Sequence, residues 1–309
     1  MARSLEARAA WARAFGVVDL AEGFAVNLRE ELDFRVEAHN IGAVAAGLNS
    51  PRRHGAVSAQ ASDEVRIPRV CPEHSTSRVL VIERLEGVSV RDAGALIEEL
   101  GLSRPALASA LLRCFLRQIL REGTFHADPH PGNVMVLRDG HLALIDFGSV
   151  GRLDPLQQAA LKRMLVALDR HDAALLSDAL LDLAQVCTGR VDKERLERSL
   201  AQLMAQRLGP GMSPGPEFLV DLFAVLLAFG LAFSPVVGGV FRALVTLQGT
   251  LTLLDPNFQV VEEARSLGSE WLGVLRADLA APECHRRAPG AATALAAPPS
   301  SDRPHHRRS

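Results

Sequence analysis

Eight consecutive residues, His126-Ala127-Asp128-Pro129-His130-Pro131-Gly132-Asn133, concentrate reactive side chains, and Asp146-Phe147-Gly148 begins thirteen residues after Asn133. Phosphoryl transfer needs a group that orients a hydroxyl nucleophile, together with hard oxygen ligands that hold magnesium against phosphate. An aspartate with an asparagine five residues on, then a second aspartate past a hairpin, supplies that set. The spacing assigns Asp128 as the catalytic residue and Asn133 and Asp146 as the metal- and cofactor-binding residues. Pro129 and Pro131 stiffen the loop between them, and Gly132 permits a turn that a larger residue resists. Taken singly, these residues are ordinary turn formers. It is their order, with a hairpin between them, that points to chemistry. A rival reading takes His126, Asp128 and His130 as an HxDxH cluster suited to zinc or iron hydrolysis. The two prolines oppose the helix that would gather those histidines, and no downstream His or Cys cluster completes a metal shell.

Several elements must position this set. Asn133 to Asp146 (NVMVLRDGHLALID) reads as two apolar strands joined at Asp139-Gly140, a hairpin whose ends hold Asn133 and Asp146. Before it, Leu107 to Arg121 reads as an amphipathic helix, and after it Pro155 to Leu208 reads as three helices. Upstream, Arg66 to Cys71 and Arg78 to Leu85 read as strands; the second has a continuous apolar centre and is expected to be buried. Leu5 to Leu48 is helical in pattern, Asn49 to Glu64 is a polar loop, and beyond Ala280 the periodicity is lost. Glu30, Asp33 and Glu37 share one helical face. In a kinase, a glutamate on the first large helix pairs with the lysine that grips the nucleotide phosphates, and Glu37 is the candidate for it. Val79 to Leu85 is then the candidate hinge, with Glu83 and Leu85 at the nucleotide.

The 309 residues are 48% hydrophobic, enough to bury a full core, and 34 basic against 36 acidic residues leave no global field to recruit nucleic acid. Four scattered cysteines without a CxxC pair argue against a disulfide framework or a zinc site. The N-terminal stretch has no apolar signal region, so a cytoplasmic location is expected. Leu222 to Phe241 is uncharged over twenty residues, but Pro235, Gly238 and Gly239 interrupt it. It reads as two buried helices with a Ser-Pro break in preference to a membrane span.

Four segments in order resemble the AarF/UbiB/ADCK family of atypical kinases. ELDFRVEAHN (Glu31 to Asn40) looks like its ExD motif with the following glutamate, and VLVIERLEGVSV (Val79 to Val90) like its hinge. GTFHADPHPGNVMV (Gly123 to Val136) looks like its catalytic loop and ALIDFGSVGRLD (Ala143 to Asp154) like its DFG segment. The resemblance implies an α+β, protein-kinase-like fold. Residues 1–85 would form a partial N-lobe, 86–280 a mostly helical C-lobe, and 281–309 a disordered tail. It implies ATP and magnesium as cofactors and a role in isoprenoid-quinone metabolism of the ubiquinone type. Quinone-pathway enzymes or lipid are the implied partners, with peripheral membrane association. It also implies that Glu31 and Asp33 contact a KxGQ-bearing extension over the pocket. That extension, the Ala-rich nucleotide loop and the lysine strand are not found in this sequence, which reads as N-terminally truncated. Its two lysines, Lys162 and Lys193, both follow the DFG segment. A pseudokinase, regulatory or scaffolding in role, is therefore the alternative function. A phosphotransferase of the aminoglycoside type shares a related loop, but that class does not show ELDFRVEAHN in this form.

Overall fold

The computed structural model describes residues 33–49, 65–187, 191–208, 216–260 and 263. The expected helical segment before Asp33, the loop over 50–64 and the tail beyond 280 lie outside the described residues. Helix α1 (Phe34–Asn49) comes first, followed by β1 (Val65–Arg66), β2 (Gly87–Ser89) and the short α2 (Gly94–Glu99). Helix α3 (Arg104–Arg117) leads into β3 (Thr124–His126), the hairpin β4 (Val134–Leu137) and β5 (Leu142–Leu144), and β6 (Val150–Arg152). The helical half is α4 (Pro155–Arg170), α5 (Ala173–Leu183), α6 (Lys193–Arg207), α7 (Pro216–Ala228) and α8 (Pro235–Leu254). Strands β7 (Ala184–Cys187) and β8 (Leu231–Phe233) pair within it.

The hairpin forms as its sequence demands. Val134 lies opposite Leu144 and Val136 opposite Leu142, and Gly140 turns the chain at φ 88°, a left-handed value that favours glycine. All three residues of β5 are buried, and its two edges are paired, with β1 in parallel and with β4 antiparallel. The sheet order β1-β5-β4-β2 makes the hairpin its centre, so the ends of β4 and β5, where Asn133 and Asp146 sit, are held from both sides.

Helix α3 starts on a Ser103 cap and buries Leu107, Leu111, Leu112 and Phe115. It stops being α-helical four residues before the expected Arg121, widening into a π turn over Gln118–Glu122 that ends on Gly123 at φ 70°. At the start of this turn the buried Gln118 side-chain oxygen accepts the His126 N–H at 2.9 Å. Such π turns recur at functional sites. A Cβ on Gly123 would meet the Gln158 amide nitrogen at 2.7 Å and the Leu153 carbonyl at 3.1 Å, so glycine is needed for contact as well as for φ.

Two upstream expectations are corrected. Val79 to Leu85 is not a buried strand: it makes one isolated antiparallel bridge, Ile82 to Val70, and Val79 and Ile82 are 52% and 37% exposed. Cys71 N–H to Val81 and Glu83 N–H to Arg69 complete a narrow two-chain ribbon. An apolar run reveals that a segment prefers to be covered but not what covers it, and a ribbon of two chains leaves its outer side open. Arg66 to Cys71 is likewise strand only at its start, because Pro68 has no N–H to donate to a ladder.

The three expected helices over Pro155 to Leu208 are present as α4, α5 and α6. The apolar stretch forms two helices, as read, with the break at Gly230 (φ 67°) and Ser234, whose hydroxyl caps α8 by accepting the Val237 N–H. Phe223, Phe233 and Phe241 pack edge to face or tilted across the break. Among the described residues α8 alone is long and apolar enough to cross a membrane, with mean hydropathy 1.4 and 39% of the apolar window buried.

Candidate active site

Strand β3 delivers His126 into the core, where it is fully buried. Its Nδ1 accepts the Asp128 N–H at 3.1 Å, so Nε2 carries the ring proton and donates to the Ile145 carbonyl at 3.1 Å. One imidazole thus pins the backbone of Asp128 to the residue before Asp146. Burial pushes the His126 pKa down, against opposing pulls from the Ile145 carbonyl and from Asp146 and Asp128, and holds the ring neutral. Because the folded state binds this proton less readily than the unfolded chain, the stability His126 contributes is complete above its usual 6.5 and declines as pH falls below it. Thermal melting from pH 7.5 down to pH 5 should therefore show a fall that His126→Gln makes shallower, at the cost of lower stability at neutral pH.

Asn133 is buried at 6% exposure, and its Nδ2 donates to the Asp128 carbonyl at 3.1 Å. Its own N–H goes to the His130 carbonyl, and its carbonyl accepts the Ile145 N–H at 2.9 Å. The Ala127 N–H reaches the Ser149 carbonyl at 2.9 Å. The structure therefore brings Asp128, Asn133 and Asp146 together through short backbone links, as their spacing predicts. Asp146 is exposed and left-handed, with φ 60°, a conformation that aspartate tolerates better than most residues. Its Oδ1 accepts the Gly148 N–H, and Oδ2 has no protein hydrogen bond among the described residues.

Glu37 projects from α1 onto the same segment, and its Oε1 accepts the Phe147 N–H at 3.1 Å. Partial burial raises its pKa; the Phe147 N–H opposes the rise and the nearby Asp146 charge adds to it. Among the described residues no ion pair joins a lysine to this group: Lys162 lies in α4, and Lys193 pairs with Asp178 at 2.6 Å and Glu197 at 3.7 Å. Asp33 pairs with Arg35, which holds its carboxyl below the usual range. Glu31 is outside the described residues.

The hinge residues sit apart from this cluster. Glu83 and Leu85 line a groove of about 1250 Å³ between α1 and the ribbon, together with Ile41, Leu48 and Val65; Asp128, Asn133 and Asp146 do not line it. The Glu83 N–H is spent on Arg69, and its carboxylate accepts from the Arg69 side chain and N–H. Leu85 has no backbone hydrogen bond among the described residues.

Sequence reasoning missed three supports. Gln118 fixes the His126 backbone, the Thr250 hydroxyl of α8 donates to the Pro129 carbonyl at 2.6 Å, and Asn40 donates to the Phe147 carbonyl at 2.9 Å. Asn40 and Gln118 fall within segments already read as helical, without a sign of these bonds; Thr250 is joined to the loop by tertiary contact. The HxDxH reading is not supported. Both His126 nitrogens are committed internally, His130 Nδ1 accepts the Gly132 N–H, and the described residues contain no metal-competent group of three His, Cys, Asp or Glu.

The profile of the ABC1 atypical kinase-like domain matches residues 1–180. An uncharacterized protein of Synechocystis is 35% identical over 188 residues, 59% of this chain and 44% of that protein. The Arabidopsis chloroplastic protein named Activity of bc1 complex kinase 7 is 32% identical over 67% of this chain and 30% of its own length. An uncharacterized aarF domain-containing protein kinase of Arabidopsis chloroplasts is 28% identical over 78% of this chain and 32% of its own length. The chain thus spans less than half of these relatives. A Mycobacterium tuberculosis protein solved with erythromycin superposes with a TM-score of 0.52 at 21% identity, covering 80% of this chain and 61% of that one, a likeness of fold. With a family profile spanning residues 1–180, more than half of its length, this chain belongs to the ABC1 atypical kinase-like family, the AarF/UbiB/ADCK group.

Proposed function

We propose that this chain holds the magnesium–nucleotide site of an atypical kinase-like ATPase or phosphotransferase that supports isoprenoid-quinone metabolism of the ubiquinone type. Asn133 carries the reading. Its Nδ2 is spent on the Asp128 carbonyl, so its Oδ1 is the end left to face a cation, beside the segment that presents the Asp146 carboxylate. An amide oxygen and a carboxylate are hard ligands of the kind magnesium takes alongside phosphate oxygens. Magnesium bound there would neutralise phosphate charge during transfer. Asp128 orients the attacking hydroxyl or water, with its backbone held by His126. Leu85, whose backbone groups are unspent among the described residues, is the hinge contact for adenine; Glu83, its N–H and carboxylate engaged by Arg69, is left with its carbonyl. The resemblance supplies the quinone pathway, its enzymes or lipid as partners, and a cytoplasmic site with peripheral membrane association. No nucleic-acid partner is proposed.

One observation favours a second reading. The Glu37 carboxylate takes a backbone N–H, and among the described residues it pairs with no lysine. A regulatory or scaffolding module without turnover would have that property. Calorimetric titration of ATP into the purified chain, with and without magnesium, tests the first reading directly. Binding that requires magnesium is the expected result, whereas a folded chain that binds no ATP under either condition removes the enzymatic reading and leaves the scaffold.

A further inference from the structure

Helix α1 grips one residue of the DFG segment at both of its backbone groups. Glu37 and Asn40 lie one turn apart on the same helical face. Glu37 Oε1 accepts the Phe147 N–H at 3.1 Å and Asn40 Nδ2 donates to the Phe147 carbonyl at 2.9 Å. These groups belong to the two peptide planes that flank Phe147. The first plane sets ψ of Asp146 and the second leads into Gly148, so fixing both leaves the Asp146 carboxylate little freedom of direction. The orientation of the Asn40 amide is itself determined: Oδ1 accepts from Arg152 Nη2 at 3.2 Å, and a flipped amide would set oxygen against the Phe147 carbonyl and NH₂ against the guanidinium. Asn40 is 5% exposed and Phe147 fully buried, with its ring 5.1 Å from that of His126, so solvent does not replace these bonds. Asp146, the residue being aimed, holds a left-handed φ of 60° that surrounding structure must maintain.

We infer that Asn40 is a positioning residue for the metal-binding Asp146, and that through Arg152 it couples α1 to the segment that follows the DFG residues. The inference rests on the magnesium–nucleotide reading above. It assigns α1 a second task besides carrying Glu37: movement of the helix releases the Phe147 carbonyl and the Arg152 guanidinium together, and so alters how Asp146 meets magnesium.

The test uses the full chain and its Asn40→Asp, Asn40→Ala and Arg152→Met variants. ATP affinity is measured by calorimetry across a magnesium titration and in its absence, with melting temperature alongside. Loss of the single donor at Asn40 should raise the magnesium concentration at half-effect by about tenfold or more, while magnesium-free ATP affinity stays within about twofold. Arg152→Met, at an exposed side chain, should fold normally and move the magnesium midpoint in the same direction by a smaller factor, which keeps the test decisive if the Asn40 variants do not fold. A merely structural role would lower both affinities together, or neither, and either pattern overturns the inference. Absence of magnesium-dependent ATP binding in the parent chain would instead overturn the magnesium–nucleotide reading, and the inference with it.

Discussion

Asp146→Asn is expected to abolish the magnesium dependence of ATP binding while leaving the fold in place. The substitution keeps the size and shape of the side chain, and asparagine adopts the left-handed conformation at φ 60° as readily as aspartate does, so it introduces no new backbone strain. What it removes is the carboxylate charge. The side chain is exposed, its one hydrogen bond, from the Gly148 N–H, can be kept by an amide oxygen, and it contributes little to the core. Magnesium-dependent affinity should fall by about a hundredfold or more, roughly 2.7 kcal/mol. The melting temperature should stay close to that of the parent. Calorimetry and thermal melting on the same preparation check both halves, and unchanged magnesium-dependent affinity in the variant would remove Asp146 from the metal site.

Gly151→Ala is expected to destabilise the fold measurably. Gly151 lies opposite Phe125 in the β3–β6 pair, and a Cβ there would overlap the ring of Phe125, which is fully buried. The ring cannot retreat without leaving the core that also holds His126 and Phe147. Overpacking of this kind costs about 1–3 kcal/mol. Gly42→Ala provides the contrast: it sits on the exposed side of α1 with nothing within 4 Å of the new Cβ, so it should stabilise the helix by about 0.5–1 kcal/mol. Denaturant melts of the two variants should shift in opposite directions. A neutral Gly151→Ala would mean that β3 and β6 do not hold Phe125 as described.

The sequence by itself determined the order of the candidate residues and that they fall close together in the fold. Asp128, Asn133 and Asp146 are local to one loop and one hairpin, and the hairpin follows from two apolar runs and a turn at Asp139-Gly140, all within a span short enough to read directly. The three helices of 155–208 and the Ser-Pro break before α8 were legible for the same reason: periodicity and caps are local signals. The tertiary structure alone decided what lies against these elements. It showed that Val79 to Leu85 is a half-open ribbon, because an apolar run cannot name its cover, and that Glu83 spends its N–H on Arg69. It also brought Gln118, Thr250 and Asn40 to the catalytic loop and DFG segment, Thr250 from 121 residues beyond Pro129 and Asn40 from 107 residues before Phe147. Separations of that size leave no periodic trace in a chain, since the partner of a hydrogen bond is chosen by packing and not by spacing.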